Sequence, residues 1–482
     1  MDMDKKRYAE LIDEKKDLFT EVSDRIWEFA ELSVKEYRSA ELYVKVLKEL
    51  GFEVTAPFDG IETAFIGKYG SGHPVIGILA EYDALSGLSQ KACVPYREEL
   101  VKNGNGHGCG HNMLGAGSLA AAYGIKKYLE ENPGKGTVIF YGCPGEEGGA
   151  AKAFFARDGV FEGTDAALTW HPGDVNQIVS GTCNSCIQTE YKFKGIASHA
   201  AGAPERGRSA LDAVQLMNMG VEFMREHIPE GDRIHYAITD SGGPSPNVVQ
   251  PHASVLYMVR STWVKDALKL QERLDKMAVA ASMMTETELT KVFIDGCSNT
   301  VSNSVLEELL YKNLLDTPLP EYTEEEWEYA RQLSEAIEMK GENLPGVSSG
   351  TSKEIAEKVK ELSCNGTKVI NDFIVPYEHS EVQSKGSTDV GDVSWCIPTA
   401  QLHAVCEVSK SPGHSWQNVS CGASGIGHKG LILAGKVLCG AAIDLFESPD
   451  IIDAATAEFK EKTKGGFLSP VPKDAVLRPL ED

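Results

Sequence analysis

Apolar residues near the start of the chain recur at helical spacing. Leu11, Ile12, Phe19, Ile26 and Phe29 fall on one stripe of a pattern that runs from Tyr8 to Phe52, with a turn at Gly51. Short continuous apolar runs follow at 74–80 (PVIGILA), 137–141 (TVIFY) and 166–170 (AALTW). Their length and their β-branched or aromatic content are those of buried strands. Helical stretches separate them, one over 113–131 that closes at Asn132-Pro133-Gly134 and one over 149–161. Strand and helix in alternation predict an α/β fold built on an open, mostly parallel sheet.

The texture changes near Cys186, where Ile187, Thr189, Tyr191 and Phe193 alternate with Gln188, Glu190, Lys192 and Lys194. One face is dry and the other wet, as in an antiparallel sheet. From 187 to 294 the order reads strand, helix, strand, strand, helix, strand, which predicts an inserted α+β unit of ferredoxin-like (βαββαβ) type. The expected division is therefore an α/β domain in two parts, 1–186 and 301–482, interrupted by an insertion over 187–300. A peripheral elaboration at about 318–378 holds an acidic helix, Glu324 to Lys340, and a Gly/Ser/Pro stretch, Leu344 to Ser352. Residues 399–406 read as a late strand and 429–447 as a closing helix.

Composition narrows the partners. The 482 residues are 42% hydrophobic and 24% charged, enough to bury more than one core. A net charge of −24 repels phosphate backbones and anionic lipid, so neither nucleic acid nor a membrane is expected as a partner. The longest apolar stretch, Leu431 to Phe446, is broken by Lys436 and Asp444 and is shorter than the ~20 residues a membrane span needs. The N-terminus is charged throughout and lacks the apolar core of a secretory signal. Eleven cysteines, an odd number in no repeating frame, point to free thiols and a cytoplasmic location, which makes the glycosylation patterns at Asn365 and Asn418 chance matches.

Five places carry metal-capable or acid/base residues, and several lie just past a strand's carboxyl end, where open α/β sheets bind ligands. Glu81 and Asp83 follow the first strand, Glu146 and Glu147 the second, and His171 the third. Cys109 and His111 sit in a glycine-rich turn, GHGCGHN, at the start of a helix, and His414 follows the late strand. Three histidines, a cysteine and a carboxylate suit a borderline-soft divalent ion. Of two adjacent glutamates, one can bind metal while the other takes a proton from water, the division of labour that metal-assisted hydrolysis requires. Five ligands exceed one tetrahedral ion but suffice for two ions ~4 Å apart if one ligand is shared. Lone residues such as His73, His227, His235, His252, Cys183, Cys297 and Cys421 are read as structural. A structural zinc site at Cys109 and His111 would need a C-x-x-C or H-x-x-x-H partner nearby, and none is present. Gly346-Val-Ser-Ser-Gly350 matches a nucleophile elbow without the strand that motif requires, and Gly104, Gly106 and Gly108 lack the strand of a dinucleotide loop.

Across nearly its whole length the chain resembles the M20 family of dinuclear metallopeptidases and amidohydrolases. The likeness rests on AEYDALSGLSQ (80–90), NGHGCGHN (105–112), FYGCPGEEGG (140–149), ALTWHP (167–172), FKGIASHAA (193–201), GRSALDAV (207–214), HYAITDSGGPSPNVVQ (235–250) and STDVGDVSW (387–395). The resemblance implies metal ligands at Cys109, His111, Glu147, His171 and His414, Glu146 as general base, and Asp83 as the group that orients a ligand. Where broader relatives have His in a His-x-Asp motif, this chain has Glu81, and Cys109 with His111 would compensate; which ligand bridges is left open. Two divalent ions per chain, Zn2+ or Mn2+, are implied. The inserted unit would be a lid and dimerisation domain. His199 would reach a neighbouring site to stabilise the oxyanion, and Asn247 and Arg260 would hold a substrate carboxylate. Asp389 and Asp392 lie near the site or cap a turn. The implied substrate is an N-acyl amino acid, foremost p-aminobenzoyl-glutamate, with a dipeptidase or another N-acyl amino acid deacylase as the rival. A homodimer, or a heteromer in which this chain is a non-catalytic partner of a homologous protein, completes the expectations.

Overall fold

A computed structural model describes residues 3–338 and 343–479. These residues form eleven strands in two sheets. In chain order the strands are β1 (Glu53–Thr55), β2 (Phe65–Ser71), β3 (Val75–Ala80), β4 (Gly136–Gly142), β5 (Ala166–Gly173), β6 (Gln177–Ile178), β7 (Ser185–Lys194), β8 (Arg233–Asp240), β9 (His252–Ser261), β10 (Glu288–Cys297) and β11 (Thr399–Val405). The larger sheet has the order β1-β2-β4-β3-β5-β11-β6. Its centre, β4, β3, β5 and β11, is parallel, and β1, β2 and β6 add antiparallel flanks.

Both faces of the central strands are covered, which is why they appear in the sequence as unbroken apolar runs. In β3, Ile76, Ile78 and Ala80 enter a core shared with the helices His111–Glu131 and Gly425–Glu447. Leu79 faces the opposite core, beneath the helices Ala151–Arg157 and Val390–Cys396. The two long helices cross closely because small residues meet there: a Cβ on Gly435 would stand 2.8 Å from Cβ of Ala120.

Several boundaries differ from the expectation. The N-terminal pattern divides into three helices, Met3–Glu14, Lys16–Phe29 and Tyr37–Glu49, because Ala30 and Val34 take left-handed backbone between the last two. The helix expected from 149 is only Ala151–Arg157, ended by a turn at Gly159 with φ +77°. His171 does not follow β5 but lies within it, since β11 pairs with β5 as far as Val405 opposite Gly173. The acidic helix runs Glu324–Glu335, closed at its start by a capping box between Thr323 and Glu326. Residues 339–340 of the expected helix lie outside the described residues.

The second sheet is wholly antiparallel, with order β10-β7-β9-β8. Its chain order is strand, helix (Ala210–Arg225), two strands, helix (Val264–Thr285), strand. Ile187, Tyr191 and Phe193 of β7 pack with Val255, Tyr257 and Val259 of β9 against the two helices. Among the described residues no helix is long and apolar enough to cross a membrane.

Candidate metal centre

The carboxyl ends of β3, β4 and β5 converge on the start of the helix His111–Glu131. Glycine makes the approach possible. Gly110 has φ +76°, and a Cβ there would stand 3.0 Å from Pro172, while one on Gly108 would stand 2.6 Å from Leu88. Cys109 and His111, on either side of Gly110, thereby come to the same place as His171.

Asp83 organises the cluster. Its Oδ1 is 2.7 Å from Nδ1 of His111, and its Oδ2 accepts from the Glu147 amide at 2.9 Å and the Ser33 hydroxyl at 2.7 Å. Burial alone would raise this carboxyl, but the imidazole beside it and these hydrogen bonds hold it well below the usual carboxylate range. With both oxygens taken, Asp83 turns Nε2 of His111 toward the cluster. His171 is fixed likewise: its Nδ1 sits 2.7 Å from the Pro172 carbonyl, and its Nε2 lies 3.4 Å from Sγ of Cys109. His414, on an exposed loop with φ +53°, brings Nε2 to 3.1 Å from Oε1 of Glu147.

The donor atoms form two triads. Those of Cys109, His111 and His171 lie within 4.8 Å of one another, and so do those of Cys109, Glu147 and His414. Cys109 belongs to both. Among the described residues, two buried atoms of the cluster, Nε2 of His111 and Oε1 of Glu147, have no hydrogen-bond partner; their neighbours stand at ion-pair distance without hydrogen-bond direction. Orphaned donors around a shared thiol are what a pair of divalent cations would satisfy, and three protein atoms per ion leave positions for water and substrate. All five expected ligands are therefore brought together.

Glu146 lies half-buried beside them, in a third group with Glu81 and His111 whose atoms also fall within 4.8 Å. Burial, then Glu81, Glu147 and Asp389, push its carboxyl well above the usual range, so it holds a proton strongly. Glu81 is occupied elsewhere. Its Oε1 is 2.9 Å from Nζ of Lys152, a fully buried lysine that also pairs with Asp389. Burial would raise the Glu81 carboxyl, and Lys152, His111 and His171 together more than offset this. Asp389 thus binds a buried cation rather than capping its helix, and Asp392 accepts from the Ser298 amide and hydroxyl.

Arg260 reaches the larger sheet's side of the molecule and donates to Oγ of Ser387 at 2.8 Å. His199 and Asn247 are exposed on paired loops, where the Ala200 amide donates to the Asn247 carbonyl at 3.0 Å. Among the described residues neither is bonded to the cluster.

Four residues of this neighbourhood escape sequence reasoning. Lys152 leaves a trace, a lone charge inside the apolar run GGAAKAFFA. Glu36 leaves none among polar neighbours, yet it is buried and its Oε1 accepts from the Gly145 amide at 2.8 Å, shaping the turn that presents Glu146. Burial and Asp83 raise its carboxyl to about 8. Ser33 holds Asp83, and His403 of β11 lies opposite His171 with ring centroids 5.8 Å apart.

A family model described as peptidase family M20/M25/M40 matches residues 77–415, a span that contains every ligand named above. The chain belongs to this family. Among M20 relatives, a p-aminobenzoyl-glutamate hydrolase chain of Escherichia coli (strain K12), one of that enzyme's subunits, is 41% identical over 469 residues, covering 96% of each chain. The Xaa-Arg dipeptidase of Mus musculus is 26% identical over 474 residues, covering 95% of this chain and 92% of its own. The M20 fold is seen in two solved structures. The aminobenzoyl-glutamate utilization protein of Klebsiella pneumoniae superposes with a TM-score of 0.55 at 16% identity, covering 89% of this chain and 98% of that one. A dinuclear metal binding peptidase of the M20 family from Bacillus subtilis gives 0.52 at 17% identity, covering 90% and 99%.

Proposed function

We propose that the chain is a metal-dependent amidohydrolase that cleaves an N-acyl amino acid, and that its substrate is p-aminobenzoyl-glutamate, released as p-aminobenzoate and glutamate. The observation that carries this is the shared thiol: Cys109 joins the His111/His171 triad to the Glu147/His414 triad, and Glu146, outside both, lies within 4.8 Å of His111. The 41% identity to a chain of p-aminobenzoyl-glutamate hydrolase supports the substrate.

Cys109, His111 and His171 would hold one divalent ion, and Cys109, Glu147 and His414 the other. Thiolate and imidazole suit Zn2+ by softness, whereas resemblance to the aminobenzoyl-glutamate enzymes points to Mn2+. When bound, such ions polarise the amide carbonyl and bring the pKa of water toward neutrality. Glu146 would take the proton of the attacking water and pass it to the leaving nitrogen; cation charge held by the neighbouring ligands would draw its raised carboxyl back toward the range where it accepts. Asp83 keeps His111 in the ligating tautomer. Arg260 and Asn247 hold the amino acid's carboxylate, and His199 of a second copy stabilises the oxyanion.

The proposed domain boundaries are 1–186, 187–300 and 301–482, a division that the presence of two separate sheets supports. The chain order and strand order of the second support a ferredoxin-like lid. Its edge strand β8 exposes Tyr236 and Ile238, a surface suited to pairing with a second copy or with a homologous protein. All eleven cysteines are free, in keeping with a cytoplasmic location.

The test is hydrolysis of p-aminobenzoyl-glutamate by the purified, metal-repleted chain alone, against a panel of dipeptides and aliphatic acyl amino acids. Glu146→Gln is expected to lower kcat by roughly 10²–10⁴ with metal content unchanged. Full activity in that variant removes Glu146 as the base, and preference for dipeptides removes the substrate.

A further inference from the structure

Strand β11 carries His403 past the metal centre and into a cavity of about 520 Å3. The floor of this space is Gln177 and Ile178 of β6 with Gln401 and His403 of β11; its roof is the loop 346–351 from the peripheral elaboration. His403 joins it to the metal centre, since the ring sits opposite that of His171, centroids 5.8 Å apart. At the rim stands Ser387, the residue that receives the hydrogen bond from Arg260.

The loop that forms the roof is the glycine-serine stretch that mimics a nucleophile elbow in the sequence. Its first glycine has a different use. Gly346 has φ +69°, and a Cβ there would stand 2.7 Å from Oε1 of Gln177, so the glycine lets the roof close down on the floor.

The lining decides what can enter. Among the described residues it contains no lysine or arginine, and Glu378 is its one carboxylic acid. A carboxylate buried there would lose its hydration without a cation to meet it. Apolar surface is supplied by Ile178, Val347, Ile355, Val375 and Val382. The polar groups of the floor are neutral: the carboxamides of Gln177 and Gln401 lie 3.4 and 3.5 Å from the two ring nitrogens of His403. The volume lies in the range of small-molecule sites.

We infer that this cavity is the acyl pocket, taking an uncharged aroyl group with a small polar substituent while the amino acid's carboxylates remain at the rim with Arg260. The inference rests on the amidohydrolase reading and adds which part of the substrate is selected, and by which residues: the roof 346–351 sets the size of the acyl group, and Gln401 reads its substituent.

Two variants outside the metal centre test it, Ser349→Trp, which fills the cavity from an exposed roof position, and Gln401→Leu, which removes a polar floor group at nearly constant volume. Ser349→Trp is expected to lower kcat/KM for p-aminobenzoyl-glutamate roughly tenfold or more, while acetyl-glutamate, too small to need the pocket, changes less than about twofold. Gln401→Leu is expected to raise KM for p-aminobenzoyl-glutamate but not for benzoyl-glutamate. Calorimetry on the metal-loaded protein should show p-aminobenzoate binding weakened about tenfold by Ser349→Trp. Parallel losses for acetyl- and aminobenzoyl-glutamate, or p-aminobenzoate binding that Ser349→Trp leaves unchanged, overturn the inference. Should the unaltered protein hydrolyse none of these substrates, the amidohydrolase reading falls; the calorimetric comparison still decides the pocket.

Discussion

Both ring nitrogens of His111 face acids, Nδ1 at 2.7 Å from Asp83 and Nε2 at 3.2 Å from Glu81, and only the first is a hydrogen bond. Nε2 stays open beside Oε2 of Glu81, whose other oxygen pairs with Lys152. The expected ligands Glu147 and His171, and the expected base Glu146, are legible in the sequence: they stand beside Gly and Pro at or near strand ends, where a solvated surface is not expected. Glu36 and Ser33 are not, because their roles depend on contacts with Gly145 and Asp83 that no local pattern encodes. A second buried acid gives a titration test away from the cluster. Burial, then Asp174, raise the Glu407 carboxyl to about 8. The folded chain therefore keeps a proton that the unfolded chain has released, and this stability, complete at acid pH, is lost as pH rises from the ordinary carboxyl range through about 8. One such group gives a slope of up to about 1.4 kcal/mol per pH unit. Urea unfolding of the metal-free protein between about pH 5 and 8 should show a shallower fall for Glu407→Gln, which cannot ionise.

At the scale of elements, Lys152 ties the helix Ala151–Arg157 to the end of β3 through Glu81 and to the helix Val390–Cys396 through Asp389. Removing the cation leaves two buried carboxylates unpaired. Lys152→Met is expected to cost about 3–5 kcal/mol in urea unfolding, whereas an exposed lysine such as Lys45 should cost well under 1 kcal/mol. Strands β3, β4 and β5 are legible because helices cover both faces and force apolar residues at every position. Strands β1 and β6 are too short to show a period, and β2 is broken by Gly67, Lys68 and Gly70. Helix ends follow local backbone: the turn at Gly159, not the apolar pattern, ends the helix expected to reach Phe161.

For the whole molecule, His199 is exposed and, among the described residues, makes no bond to its own cluster, so its proposed role is assigned to a second copy. Mixing Glu146→Gln with His199→Ala protomers should restore activity: random pairing leaves one competent site in half the dimers, roughly a quarter of the unaltered rate. Mixtures no more active than their components would remove the role of His199 in a second copy's site. The alternating face of β7 made the inserted unit readable from sequence, but which chain completes the site is a matter of assembly that no single sequence pattern carries. In the proposed centre, Cys109 ties two cation positions together. Cobalt(II) titration of the metal-free protein, followed by the thiolate-to-cobalt absorption, counts the ions and shows whether the thiol binds them. A thiolate band and spectral change that continue to two equivalents per chain are expected, with Cys109→Ala losing the band and at least one ion; saturation at one equivalent, or binding without a thiolate band, would rule out a thiol shared by two ions.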